Sequence, residues 1–377
     1  MNILITGGAG FIGTHLTRNL LLEGHEIVIL DSFVPQVHGG TKSMAPDLAP
    51  HVRLVIGDVA DPVTLADALA GVECVIHLAA ETGTGQSMYE ISRYQRSNLA
   101  GTAVLFELLT KSAARRIGRI VVASSRSIYG EGAYHCDTDR LVYPTSRSSE
   151  DKGSGLFDPL CPICGGPCTP VPTPESAPLQ PASFYGLTKQ VQEQMVLLFG
   201  RVLGITSIGL RYQNVYGPGQ SLSNPYTGIL AVFSNLARAG RPIPVFEDGL
   251  ESRDFVFVDD VVGATTAAIL ADIQGFHAVN VGSGVSTTVH DVAKEVCRFF
   301  RTTSRIETTG AFREGDIRHG LADVTFAREL FGYTPTCEFR TGLTRFLEWT
   351  GDREPTVAGY DVSLNEMRSR GLLHERR

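Results

Sequence analysis

Tyr185 and Lys189 stand four residues apart in a stretch whose spacing predicts a helix over 185–202, so both project from one face. An ammonium beside a phenol favours the phenolate and makes a base able to take a proton from a hydroxyl group. Ser125, at the end of an apolar run, supplies a hydroxyl that can hydrogen-bond the same oxygen. A Tyr-x-x-x-Lys pair by itself is a common coincidence. It acquires meaning from its distance downstream of a second motif.

That motif is Gly7-Gly8-Ala9-Gly10-Phe11-Ile12-Gly13, between a short apolar run and a helical stretch. Gly7 permits a tight turn, Gly10 lets the backbone approach a pyrophosphate, and Gly13 allows close packing of helix on strand. The helix beginning at Phe11 and Ile12 presents its positive end to the phosphates. Asp31 ends the next apolar run, where a carboxylate can accept both ribose hydroxyls and repel a 2′-phosphate. NAD is therefore expected rather than NADP. Asp58-Val59 reads as the adenine side of the site or as a surface turn. A separate cluster, Cys161-x-x-Cys164 with Cys136 and Cys168, has metal-ligand spacing. Structural zinc, reduced thiols and a redox pair are all open to it, whereas hydride chemistry needs no catalytic metal.

These residues need a scaffold. Short runs rich in Val, Ile and Leu at 3–5, 26–30, 52–56, 74–77, 120–123 and 207–210 look like buried parallel strands. Helical stretches alternate with them at 11–22, 62–70, 98–112 and 185–202, which predicts a doubly wound α/β sheet of the Rossmann kind. The division expected is residues 1–212 for the dinucleotide and 213–377 mainly for a smaller substrate-binding lobe, with 251–285 returning to the first unit. Residues 131–178 break the rhythm and form an insertion, a possible zinc-binding lid. Of the 377 residues, 43% are hydrophobic and 19% charged, and the net charge is −7. That balance suits a buried core and gives no electrostatic reason to expect nucleic acid or an acidic membrane as partner. With no apolar membrane-length run and no signal-like start, the chain reads as cytoplasmic.

The sequence resembles extended short-chain dehydrogenases/reductases of the nucleotide-sugar epimerase/dehydratase type. The likeness rests on the glycine loop, His77-Leu78-Ala79-Ala80, Asn98, Ser124-Ser125 with Tyr129-Gly130, Tyr185/Lys189, Arg211 to Pro218, Arg253-Asp254-Phe255 and Arg313-Glu314-Gly315-Asp316. Within that family it is most similar to dTDP-L-rhamnose 4-epimerase-like proteins, through Pro35 to Gly39, Gly85-Gln86-Ser87-Met88-Tyr89, Tyr129 to Gly132, Leu222 to Gly228 and Gly315 to His319. The resemblance implies Ser125, Tyr185 and Lys189 as the catalytic group, and Leu78, Ala79, Ala80 and Asn98 as further cofactor residues. It implies Gln86, Asn214, Arg253 and Arg313 as substrate residues, and a homodimer through helices near 98–113 and 185–202. A lone Arg at these positions can also be a surface ion pair, and His77 reads as packing beside the cofactor.

Arg126 departs from that pattern, which has an apolar residue after the serine pair or, in dehydratases, an acid pair. Without the acids, elimination of water across C5–C6 is disfavoured. Arg126 either faces a substrate carboxylate or turns outward. The activity implied is C4 epimerisation of a nucleotide-linked, dTDP-6-deoxy hexose through a 4-keto intermediate. The alternatives are a 4-ketoreductase, oxidoreductase or decarboxylase sharing the site, and, from another class, a non-catalytic dinucleotide sensor.

Overall fold

The computed structural model describes residues 1–111, 116–224, 226 and 228–376. Its centre is a seven-stranded sheet: β1 (Asn2–Thr6), β2 (Glu26–Asp31), β3 (Val52–Ile56), β4 (Cys74–His77), β5 (Arg119–Ser125), β6 (Thr206–Tyr212) and β7 (Phe276–Val281). The order is β7-β6-β5-β4-β1-β2-β3, and every pairing is parallel. The strand order reverses between β1 and β4, and at such a switch point the loops beyond the strand ends diverge into a crevice.

Alternation along β1 sends Ile3 and Ile5 to one face and Leu4 to the other. The first face joins helix α1 (Phe11–Leu22) to Val261, Ala264 and Ala268 of a later helix, Val258–Leu270. The second packs under helix α2 (Gly101–Lys111) and helix α3 (Phe184–Leu203), through Leu105, Phe106 and Val196. The helical stretch expected from residue 98 begins earlier. Ile91–Tyr94 runs into α2 through a π-helical turn, Gln95–Ala100. Residues 112 and 113 of the expected interface helix lie outside the described residues.

The insertion is ordered by its own three-stranded antiparallel sheet: Tyr134–Cys136, Arg140–Val142 and Thr169–Pro170. A buried ion network ties it to the lobe. Arg147 bridges Glu131 and Glu247 at 2.9 Å each, and Arg318 reaches Glu247 at 3.0 Å. Among the described residues, no helix is long and apolar enough to cross a membrane.

Candidate active site

The crevice is a cavity of about 430 Å³. Its floor is the glycine loop. Gly7 has φ +69°, and a Cβ there would lie 2.8 Å from the backbone nitrogen of Ala79, so glycine alone lets the β1 and β4 loops meet. Gly10 caps α1 with no side-chain hydrogen bond and no acidic residue in the first turn, leaving the helix's positive end for an anion. Asp31 is held at the end of β2 because its two oxygens accept the backbone N–H groups of Ala9 (3.0 Å) and Phe33 (2.8 Å). The carboxylate still has lone pairs facing the cavity, as two ribose hydroxyls require. A glycine cradle, a bare helix terminus and this carboxylate together fit a dinucleotide.

Across the cavity, Ser183 caps α3 by accepting from Gly186 N, and Gly186 lets the helix touch the turn after β5, where a Cβ would stand 2.5 Å from Ser127 O. That contact brings Tyr185 to Ser125. The Ser125 oxygen accepts from the Ser127 N–H and hydroxyl at 3.2 and 2.9 Å, which leaves its own proton to be offered to Tyr185 beside it. Burial raises the Tyr185 pKa; the Ser125 hydroxyl and the Arg126 charge work the other way. Lys189, 2% exposed, is pushed down to about 7 by burial, against the opposing charge of Glu193. Its ammonium donates to Gln192, which donates to Thr102; the Thr102 hydroxyl meets His77, and His77 meets Thr6. His77 is fully buried in this chain, and burial holds its imidazole down at about 3, hence neutral.

Gly7, Gly10, Phe11, Ile12, Gly13, Asp31, Asp58, Val59, Leu78, Ala79, Ala80, Ser125, Arg126, Tyr185, Lys189 and Asn214 all line the cavity. Arg126 is turned inward, not outward, with its Nε 2.7 Å from Asn214 Oδ1. Burial, and then the neighbouring charge of Arg253, lowers its pKa to about 9. Four expected contact residues stand behind the wall. Asn98, fully buried in the π-helical turn, bonds the Glu81 backbone and Thr188, so it positions the β4 loop. Gln86 is engaged with Gln36 and Tyr94. Arg253 donates to the carbonyls of Ser252, Ile317 and Arg318, and Arg313 pairs with Asp316 at 2.7 Å. Both still act by charge: burial opposes ionisation of Asp316, but Arg313 and Arg253 hold its carboxyl below the ordinary range. Glu81, Gln213, Gln220 and Tyr226 also line the cavity and were not anticipated as site residues; Gln213 and Tyr226 lie in stretches that carry the resemblance, but no residue pattern there assigns them a role.

No residue of 131–178 lines the cavity, so the insertion is not a lid over it in this structure. Its cysteine cluster also differs from expectation. Cys136, Cys161 and Cys164 converge with Asp139, while Cys168 packs alongside. The expected fourth corner was a thiol, and a carboxylate occupies it.

With this geometry in place, comparison with known proteins assigns the class. The chain belongs to the NAD dependent epimerase/dehydratase family, matching it over residues 3–150 and 164–282, and is an enzyme of the short-chain dehydrogenase/reductase type. It is 36% identical to dTDP-L-rhamnose 4-epimerase of Burkholderia thailandensis over 92% of this chain and 94% of that protein. It is 26% identical to UDP-N-acetyl-alpha-D-glucosaminuronate decarboxylase of Bacillus cytotoxicus over 92% of this chain and 96% of the relative. Among solved structures, MoeE5 in complex with UDP-glucuronic acid and NAD superposes with a TM-score of 0.74 at 27% identity, covering 93% of this chain and 99% of that one.

Proposed function

We propose that the protein inverts C4 of a hexose carried on a nucleoside diphosphate, a dTDP-6-deoxyhexose, through a 4-keto intermediate. The observation that carries this reading is the convergence of Ser125, Tyr185 and buried Lys189 on one wall of the glycine-lined cavity, beside Arg126. NAD, which the glycine loop, Asp31 and Lys189 would hold, would supply the acceptor and donor of the C4 hydride. Tyr185 removes the C4 hydroxyl proton and gives it back. Ser125 orients the oxygen between them, and Lys189 anchors the ribose and favours the phenolate. Asp31 selects NAD against NADP. Arg126 faces the cavity with Arg253 and Arg313 behind it, three guanidinium groups whose type suits a diphosphate. The similarity to a dTDP-L-rhamnose 4-epimerase supports the sugar class. Residues 1–212 serve the cofactor in this reading, and 213–377 mainly the sugar nucleotide.

We place the enzyme in the cytoplasm as a homodimer. Leu187, Val191, Leu198 and Val202 recur along one face of α3, with Leu187, Leu198 and Val202 all exposed, which supports pairing with a second copy.

Inward-facing Arg126 favours a second reading, in which the sugar carries a carboxylate that the arginine meets. Incubation of the purified protein with dTDP-L-rhamnose and with UDP-glucuronic acid separates the two. For an epimerase, product forms without added NAD, no NADH absorbance accumulates, and deuterium placed on C4 remains on C4. One NADH gained or lost per sugar, or loss of C4 deuterium to added cofactor, overturns the epimerase reading in favour of an oxidoreductase.

A further inference from the structure

One group of reactive side chains takes no part in the chemistry above. The ligand atoms of Cys136, Asp139, Cys161 and Cys164 all lie within 4.8 Å of one another. Cys136 Sγ is 3.6 Å from both Cys164 Sγ and Asp139 Oδ2, and Cys161 Sγ is 3.1 Å from the same carboxylate oxygen. Tetrahedral bonds of about 2.3 Å to sulfur and about 2.1 Å to oxygen separate neighbouring ligand atoms by roughly 3.5–3.8 Å.

The backbone repeats itself around this point. Cys136-Asp137-Thr138-Asp139 is followed by Arg140 at φ +67°, and Cys161-Pro162-Ile163-Cys164 by Gly165 at φ +72°. Each turn offers two ligands with two residues between them and then enters the left-handed region. An arginine adopts that conformation at a cost, so the turn's shape is imposed on it. In the second turn the Ile163 N–H is directed at Cys161 Sγ at 3.5 Å, a contact that strengthens when the sulfur is a thiolate.

We propose that these two turns form a structural zinc site with Cys136, Asp139, Cys161 and Cys164 as its ligands. Binding forms three Zn–S bonds and one Zn–O bond, releases the three thiol protons to solvent, and changes no oxidation state. The insertion's own apolar core is small, Tyr134, Cys136, Val142 and Cys161, and the ion adds to the sheet and ion network that order it. Through it the ion steadies the substrate side. Glu131 accepts from Arg318 N at 2.8 Å, and Arg147 donates to Asp316 O at 3.1 Å, within the segment that bears Arg313. The link to substrate rests on the function proposed above; the metal site does not.

Metal analysis of full-length protein purified without chelator tests the site directly. About one zinc per chain is expected, lost in Cys161→Ser, retained in Cys168→Ser, and kept in Asp139→Cys. Should Cys161→Ser fail to fold, cobalt substituted into the unaltered protein should show the intense near-ultraviolet band of thiolate ligation. Absence of zinc together with absence of that band overturns the site. Loss of zinc in Cys168→Ser with retention in Asp139→Asn overturns the ligand set. Stripping the metal should raise KM for the nucleotide sugar several-fold while NAD affinity, measured by titration, stays unchanged. An unchanged KM in metal-free protein overturns the coupling and leaves the function proposed above intact.

Discussion

Tyr185 is held mostly in its protonated form where it stands, because burial lifts its pKa against the Ser125 hydroxyl and the Arg126 charge. Its assigned task is worth a definite amount. Tyr185→Phe removes one oxygen and should lower kcat by about 10²–10⁴-fold. NAD affinity should survive, and a titration showing both lost together would make the residue structural. Lys189 has a consequence for stability. Its pKa lies near 7 in the fold against an ordinary 10.5, so between those values the folded chain binds fewer protons than the unfolded one. Stability from this group is present above the unfolded value and is lost as pH falls toward 7. Lys189→Met should therefore abolish turnover yet gain on the parent as pH drops, with its melting temperature relative to the parent higher at pH 7 than at pH 10.5. Parallel melting curves at both pH values would refute the assignment of that shift to Lys189.

At the scale of elements, the insertion is held by charges placed far apart in the chain. The side chains of Arg147, Glu131, Glu247 and Arg318 are each less than 5% exposed, and removing Arg147 takes from buried Glu131 its arginine partner and from Glu247 one of its two. Arg147→Met should cost about 3–5 kcal/mol, measured by denaturant unfolding. None of this was legible in the sequence, because nothing local marks Glu247 as the partner of Arg147. The same holds for Asp139, which a search for cysteine spacing passes over, and for the π-helical turn carrying Asn98, which has no signature distinct from an ordinary helix. The central strands were legible, since a buried parallel strand writes its environment into a short run of Val, Ile and Leu. So was the cavity floor, where the turn geometry demands Gly7 and Asp31 stands at the end of β2. Arg253 and Arg313 were legible as types and not as positions: their motifs mark charge near the sugar, while the carbonyls of 317 and 318 and the carboxylate of Asp316 decide where each guanidinium rests.

For the molecule as a whole, the family, the doubly wound sheet and the crevice at its switch point agree with one another, and the sheet carries a further consequence through β7. That strand comes after the lobe has begun, at Phe276–Val281, and it covers the flank of β6, whose seven residues are all buried. Val258–Leu270 likewise closes the face bearing Ile3, Ile5, Leu16 and Leu20. During synthesis the N-terminal half therefore emerges with an open strand edge and a bare apolar face, both hazards for association with other nascent chains. It must wait for about seventy more residues before it can close. Residues 1–212 expressed alone should aggregate or unfold without a cooperative transition, and should fail to bind NAD by titration. A stable, NAD-binding fragment would show that the edge is tolerated. Otherwise the segment before residue 213 cannot mature until β7 and the helix Val258–Leu270 have followed it out of the ribosome.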